Sequence, residues 1–320
     1  MMKTSLKKLL TEYNVILVLL VIAICGVLWV PFFAKATNLG KLLAELSMYG
    51  IVAIGMTFLL ISGEIDLSLG MSIALATIVS SLVGSTFGGA WGVLAAVAAC
   101  TLVGLVNGLF VTKLRINSLI VSIAMMTALT GICYLVGNGQ TVANTSEFLR
   151  GLYTWRLFGF RFLQLPTVIF ILCLIGFGIL LHRTHFGTSV FVAGGNAEAG
   201  YMSGINIGRV KLICFIIAGI CAGITGTLFA SYVYAGAASY GEGLNITLIS
   251  ACVVGGVKFT GGKGGVIRTL LGITVVRAVI NITSLLNFDA WAQNIVTGGL
   301  LLIVLIVDRC TREQKLEEAS

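Results

Sequence analysis

Charge is what this 320-residue sequence has least of: lysine, arginine, aspartate and glutamate together make up 10% of it, against about 25% in soluble domains. A chain so composed has too few polar side chains to cover itself in water. Proline occurs only at Pro31 and Pro166, and histidine only at His182 and His185. No H-E-x-x-H, no G-x-S-x-G and no pair of acids of intramembrane-protease type occurs. The spacing of His182 and His185 would let one helix offer both to a metal, but their place beside Arg183 reads as solvation at a membrane edge, so no metal site is assigned. GGVKFTGGKGG, residues 255–265, approaches a phosphate loop and fails. Val257 stands where the first glycine belongs, and Gly264 follows the lysine where Ser or Thr is required. No nucleotide site is therefore expected in this chain.

What is abundant is apolar. Hydrophobic residues make up 58% of the chain, and the mean hydropathy is +1.06. Ten apolar runs are long enough, or nearly so, to cross a hydrocarbon core of about 30 Å as helices: about 14–33, 44–62, 67–87, 90–112, 117–136, 165–181, 212–233, 245–258, 266–286 and 291–307. The expected fold is an all-α, multi-spanning membrane bundle of about ten helices, a single transmembrane domain over 1–320. With ten spans and the N-terminus inside, the inner segments hold fourteen basic residues and the outer ones five. That bias places both termini in the cytoplasm. It also accounts for the net charge of +8 without nucleic acid, because the basic residues alternate with spans and form no single patch. Lys3, Lys7 and Lys8 before the first run, and Ala34-Lys35-Ala36 after it, imitate a signal peptide. The run exceeds the usual 7–15 residues of a signal core, so an uncleaved first span is expected.

Glycine, at 40 residues, suits close helix packing in lipid. The two GxxxG matches, Gly104 to Gly108 and Gly219 to Gly223, are read as packing within one subunit in preference to a dimer seam. Ser68, Ser72, Ala76 and Ser80, in steps of four, allow close approach in the same way. Seven of the eight cysteines lie in apolar runs without CxxC spacing, which reads as small apolar packers.

Two connections are longer than hairpins. The outer one, about 137–164, offers Tyr153 and Trp155 as membrane anchors. The inner one, about 182–211, contains AGGNAEAGYMSGIN. There Asn196 is a plausible N-cap with Glu198 behind it favouring the helix dipole. A short, partly apolar cytoplasmic helix stopped near Gly204 follows, a natural docking element for a soluble partner.

Two stretches interrupt helices. In ISGEIDLSLG, residues 61–70, Gly63 suits a left-handed helix end and Asp66 suits a cap for the next helix. Gly70 follows in that helix's first turn. In the second stretch, about 255–265, Gly261, Gly262 and Gly264 break the chain after an apolar run of about 18 Å. Paired breaks of this kind mark a translocation path in transporters, and ordinary tight turns at the cytoplasmic surface fit equally well. Arg277 is the one basic residue deep in an apolar run. Thr274, Arg277, Asn281 and Ser284 share one helical face, either a polar strip along a path for a hydroxylated solute or a structural ion pair with Asp66 or Glu64. Asp66 has a local role as a cap. Glu64 has none, and is the better candidate for pairing with Arg277 or facing the path.

ISGEIDLSLG, GGNAEAGYMSGIN and VVGGVKFTGGKGG, in this order and spacing, resemble the ribose-type sugar permeases of bacterial ABC importers over about residues 45–307. The resemblance implies an inner-membrane subunit that binds no ATP of its own. It implies a second permease chain, two cytoplasmic ATPases and an external solute-binding protein as partners. It also implies that Gly194, Gly195, Asn196, Glu198, Ser203, Gly204 and Ile205 form the coupling contact with an ATPase. The substrate it implies is a monosaccharide or related polyol; branched-chain amino-acid permeases share the architecture. Arg277 departs from the family pattern, in which small or apolar residues are common in that span.

Overall fold

The computed structural model describes residues 14–157, 164–289, 291–299 and 302. The N-terminal lysines, the last charged residues and residues 300, 301 and 303–307 of the expected tenth span lie outside the described residues; 291–299 of that span are helical. The chain is an all-α membrane bundle, with α1 Asn14–Trp29, α2 Ala36–Ile61, α3 Leu69–Phe87, α4 Gly89–Thr112 and α5 Ser118–Val136. After the strand β1 Val142–Ala143 come α6 Glu147–Thr154, α7 Leu165–Arg183, α8 His185–Gly195, α9 Ala197–Met202 and α10 Ile207–Val233. The strand β2 Ala235–Gly236, a 3-10 turn at Ala238–Gly241, α11 Leu244–Val254 and α12 Val266–Leu285 complete it. Seven of the described helices are long and apolar enough to span a membrane.

Burial separates core from periphery. The apolar stretch of α2 is 89% buried, and from Ser47 to Ile61 every residue is covered. A helix apolar on all sides belongs in a core. The corresponding stretches of α5 and α7 are 22% buried, and their exposed Leu135 and Leu172 suit contact with lipid.

The two GxxxG segments pack against each other within the chain. A Cβ added at Gly223 would lie 2.6 Å from Val97 Cα, and one at Gly104 would lie 3.4 Å from Gly219 Cα. α4 and α10 thus cross backbone to backbone, the most extensive helix pair in the bundle. The small-residue stripe of α3 fits beside them. Cys100 Sγ donates to Ser72 O at 3.1 Å, and a Cβ at Gly226 would lie 2.6 Å from Ile73 O. At the opposite end from the helix breaks, β1 pairs antiparallel with β2. There Ser146 caps α6 and the Tyr153 ring lies 4.8 Å from that of Tyr232.

Three expectations change. The second helix begins at Ala36 and not near 44. The expected eighth span is the 11-residue half-helix α11, about 16 Å long. Gly243, left-handed at φ +74°, stops any upstream continuation. The inner loop holds two short helices, α8 and α9, where one was expected.

Candidate functional site

The first break is built from its own backbone. Gly63 N donates to Leu60 O at 3.0 Å and Glu64 N to Leu59 O at 2.9 Å, with Gly63 at φ +80°. This is the glycine-terminated helix end that satisfies two freed carbonyls. Ile61 O is left over, and Gly262 N from the second break donates to it at 2.9 Å. The third glycine segment lies between them. A Cβ on Gly194 would overlap Ile61 O and stand 2.8 Å from Gly262 N; one on Gly261 would stand 2.7 Å from Gly194 O. A Cβ on Gly262 would meet Gly195 Cα at 2.6 Å, and one on Gly264 would meet Ile61 Cγ1 at 2.9 Å. Segments more than 60 residues apart in sequence thus touch main chain to main chain at one joint.

The acids of the first break have separate partners. Asp66 is 1% exposed. Its Oδ1 accepts from Ser68 N at 2.8 Å and Ser68 Oγ at 2.6 Å, and its Oδ2 accepts from Asn107 Nδ2 at 3.1 Å. The expected cap therefore acts one step upstream: Asp66 holds Ser68, the residue before α3, and ties it to α4. Gly70 packs on the irregular segment before α11, where a Cβ would lie 2.7 Å from Gly241 O.

Glu64 pairs with Lys211 of α10, Nζ to Oε1 2.5 Å. Neither acid of the first break pairs with Arg277, because that guanidinium lies farther along α12, beside α2. There it pairs with Glu45 and sits 4.3 Å from the Tyr49 ring centre. A span starting near 44 puts Glu45 at the membrane edge, where it is no obvious partner for Arg277. Seen from Ala36, Glu45 stands more than two turns inside.

The rest of the polar face divides. Asn281 exchanges two 2.9 Å amide hydrogen bonds with Asn38. Thr274 bonds its own helix at Leu270 O, 2.7 Å, and Ser284 is exposed. Arg277 and Asn281 thus clasp α12 to α2. Beside them Leu39, Leu42, Leu43, Leu46, Thr274 and Arg277 line a mostly apolar cavity of about 340 Å³.

The inner segment is stiffened by caps. Thr184 Oγ1 accepts from Gly187 N at 3.2 Å, Asn196 Oδ1 from Ala199 N at 2.9 Å, and Asn206 Oδ1 from Arg209 N at 2.9 Å. Glu198 is in the first turn of α9, and Ser203 Oγ bonds Ala199 O at 2.9 Å. Gly204, at φ +80°, ends α9 as Gly63 ends α2: Gly204 N donates to Tyr201 O and Ile205 N to Gly200 O. An open cleft of about 540 Å³ lies between α8 and α9, with His182, Phe191, Asn196, Ser203 and Ile205 in its wall. Next to it Tyr201 and Met202 are 73% and 79% exposed.

Bundle, breaks and capped inner segment together define a multi-pass membrane permease. The chain matches the family model described as "Branched-chain amino acid transport system / permease component" over residues 38–305, and it belongs to that family. It is 36% identical to the L-arabinose transport system permease protein AraH of Escherichia coli K12, over 97% of this chain and 94% of that one. It is 29% identical to the ribose import permease protein RbsC of Bacillus subtilis 168, over 87% of each chain. With the xylose transport system permease protein XylH of E. coli K12 the identity is 28%, over 88% and 87%. No solved structure matches the chain.

Proposed function

We propose that this chain is the membrane-spanning permease subunit of a bacterial ABC importer that carries a pentose or a similar monosaccharide. The observation that carries the reading is the joint at which ISGEID, the Gly194 segment and FTGGKGG meet, beside an exposed, capped helix. A bundle driven by a soluble motor needs such a rigid link between the docking element and the helix ends. L-arabinose, ribose and xylose, in the names of the relatives, are pentoses, which supports the substrate class. In this reading the chain crosses the inner membrane with both termini in the cytoplasm. ATP is bound by partner ATPases and by no site in this chain. A second permease chain completes the path, and an external solute-binding protein delivers the sugar. ATP-driven closure reaches the joint through Gly194 to Ile205, and the path alternates between outward and inward openings.

The description of the family model favours a second reading, transport of a branched-chain amino acid. The deciding experiment is reconstitution in proteoliposomes with the cognate ATPase and binding protein. L-arabinose uptake with binding-protein-stimulated ATP hydrolysis is expected. Uptake of leucine in its place establishes the second reading, and uptake without any ATPase overturns both.

A further inference from the structure

Between β2 and α11 the chain turns back into the bundle. A Cβ on Gly236 would lie 2.6 Å from Ile78 N, Ala237 N donates to Thr77 Oγ1 at 3.3 Å, and a Cβ on Gly241 would lie 2.5 Å from Gly70 O. Over these few residues the segment descends along α3 from Ile78 to Gly70, about 12 Å of helix. α11 starts at its foot and runs to the glycine joint.

Two helices serve as rulers of depth. On α5, Ser118 Oγ accepts from Ile65 N at the inner end. Met126, eight residues on and about 12 Å deeper, accepts from Asn245 Nδ2 through its sulfur at 3.5 Å. On α4, Asn107 holds Asp66 and Ser68 about 7 Å inside the helix end at Thr112. Gly70 lies just beyond Ser68, and it touches Gly241 and Asn245. Both rulers put residues 241–245 inside a hydrocarbon core of about 30 Å. Glu242 is nonetheless exposed, as are Ser239 and Gly243, and Glu242 makes no ion pair among the described residues. A carboxylate at that depth faces a bundle interior or a wet cavity. Irregular backbone survives there only when buried in protein or lining water. Asn245, one turn on, has a thioether for its side-chain partner, a weak acceptor.

We propose that Glu242 and Asn245 line the translocation path and bind the hydroxyl groups of the passing monosaccharide. The carboxylate accepts from two neighbouring hydroxyls, and the amide donates to one and accepts from another. The assignment rests on the sugar-permease reading. The test uses the full transporter in proteoliposomes. Glu242→Gln is expected to lower L-arabinose uptake about tenfold, and Glu242→Asp to restore part of it. Asn245→Ala is expected to change the preference among L-arabinose, ribose and xylose. Glu242→Cys is treated with a charged, membrane-impermeant methanethiosulfonate, with the unsubstituted chain as background. It should react in at least one of the nucleotide-free and ATP-bound states, more slowly with saturating L-arabinose. Reaction at background rate in both states, as for a group facing lipid or sealed against the second permease chain, overturns the proposal. So does Glu242→Gln with unchanged uptake and preference. If the unsubstituted complex imports none of the three sugars, the sugar reading falls, while the labelling still decides whether this segment faces water.

Discussion

Gly194→Ala sets local propensity against tertiary contact. Gly194 lies in α8, where alanine is favoured by about 1 kcal/mol over glycine. The new Cβ would overlap Ile61 O and stand 2.8 Å from Gly262 N, whereas carbon contacts are most favourable at about 3.5–4.0 Å. The segments must part by about 1 Å or more, and the 2.9 Å bond from Gly262 N to Ile61 O cannot survive that. Overpacking costs about 1–3 kcal/mol and an orphaned buried donor and acceptor about 1–3 more. Net of propensity, the joint loses about 1–5 kcal/mol, centred at about 3, and every 1.4 kcal/mol or so is tenfold. Gly195→Ala is the control, because its Cβ would stand 3.6 Å from Gly262 Cα, an ordinary contact. Both variants are purified with the cognate ATPase, checked by size exclusion and assayed for ATP-driven uptake. Gly194→Ala should lose tenfold or more of its uptake per ATP hydrolysed, and Gly195→Ala should stay within about twofold. Equal behaviour of the two would refute the reasoning.

We predict further that Arg277→Leu destabilises the bundle in detergent by up to about 3–5 kcal/mol, because it leaves Glu45 only the exposed Lys41, 3.9 Å away. The double variant Glu45→Gln/Arg277→Met should recover most of the thermal midpoint, and no recovery would point to a path role for Arg277. Asp66→Ala removes the acceptor of three hydrogen bonds and should cost about 2–4 kcal/mol; Asp66→Asn, which keeps an acceptor, should cost less in the same melt. Gly204→Pro cannot hold φ +80° and should leave ATP hydrolysis running without uptake; normal coupling would remove α9 from the docking contact. Tyr201→Glu on the exposed face of α9 should weaken ATPase co-purification about tenfold while the permease stays monodisperse.

What the sequence disclosed is what local geometry or small size dictates. Gly63, Asn196 and Gly204 act through neighbours two to five residues away, so their roles as helix end, cap and stop are readable from adjacent residues. That the two GxxxG segments pack within one subunit is readable because close backbone approach has few other uses in lipid; that they face each other is shown only by the fold. Pairings across the bundle are not readable in that way. Glu64 has several bases within conceivable reach, and only the approach of α10 selects Lys211. Thr37, Asn38 and Lys41 make the start of α2 look like a loop. That hid both Glu45 and Asn38, the partners of Arg277 and Asn281. α11 passed for a membrane span because hydropathy records apolarity and not depth.

The two ion pairs do different mechanical work because they lie at different places. Glu64 and Lys211 are beside the joint, where the carboxylate is buried but the Lys211 side chain is 22% exposed, so the cation can exchange partners at modest cost if the inner ends move. Arg277 is the more covered cation, 9% exposed at its side chain with Tyr49 against the guanidinium, so separating it from Glu45 leaves its charge in a medium that cannot solvate it. α2 and α12 should therefore move as one body, reinforced by the Asn38–Asn281 amide pair and the 2.5 Å contact between Thr57 and Thr269 hydroxyls. α11 is packed against both, with Gly255 and Gly272 in close backbone contact. Its inner end is at the joint and its outer end, about 16 Å away, carries Asn245 and is preceded by Glu242. In the proposed reading a displacement imposed at Gly194 would reach Glu242 through the glycine turn 255–262 and one short helix. In such a design the docking contact sets the opening of the path directly, and softening the joint should cost coupling before it costs folding.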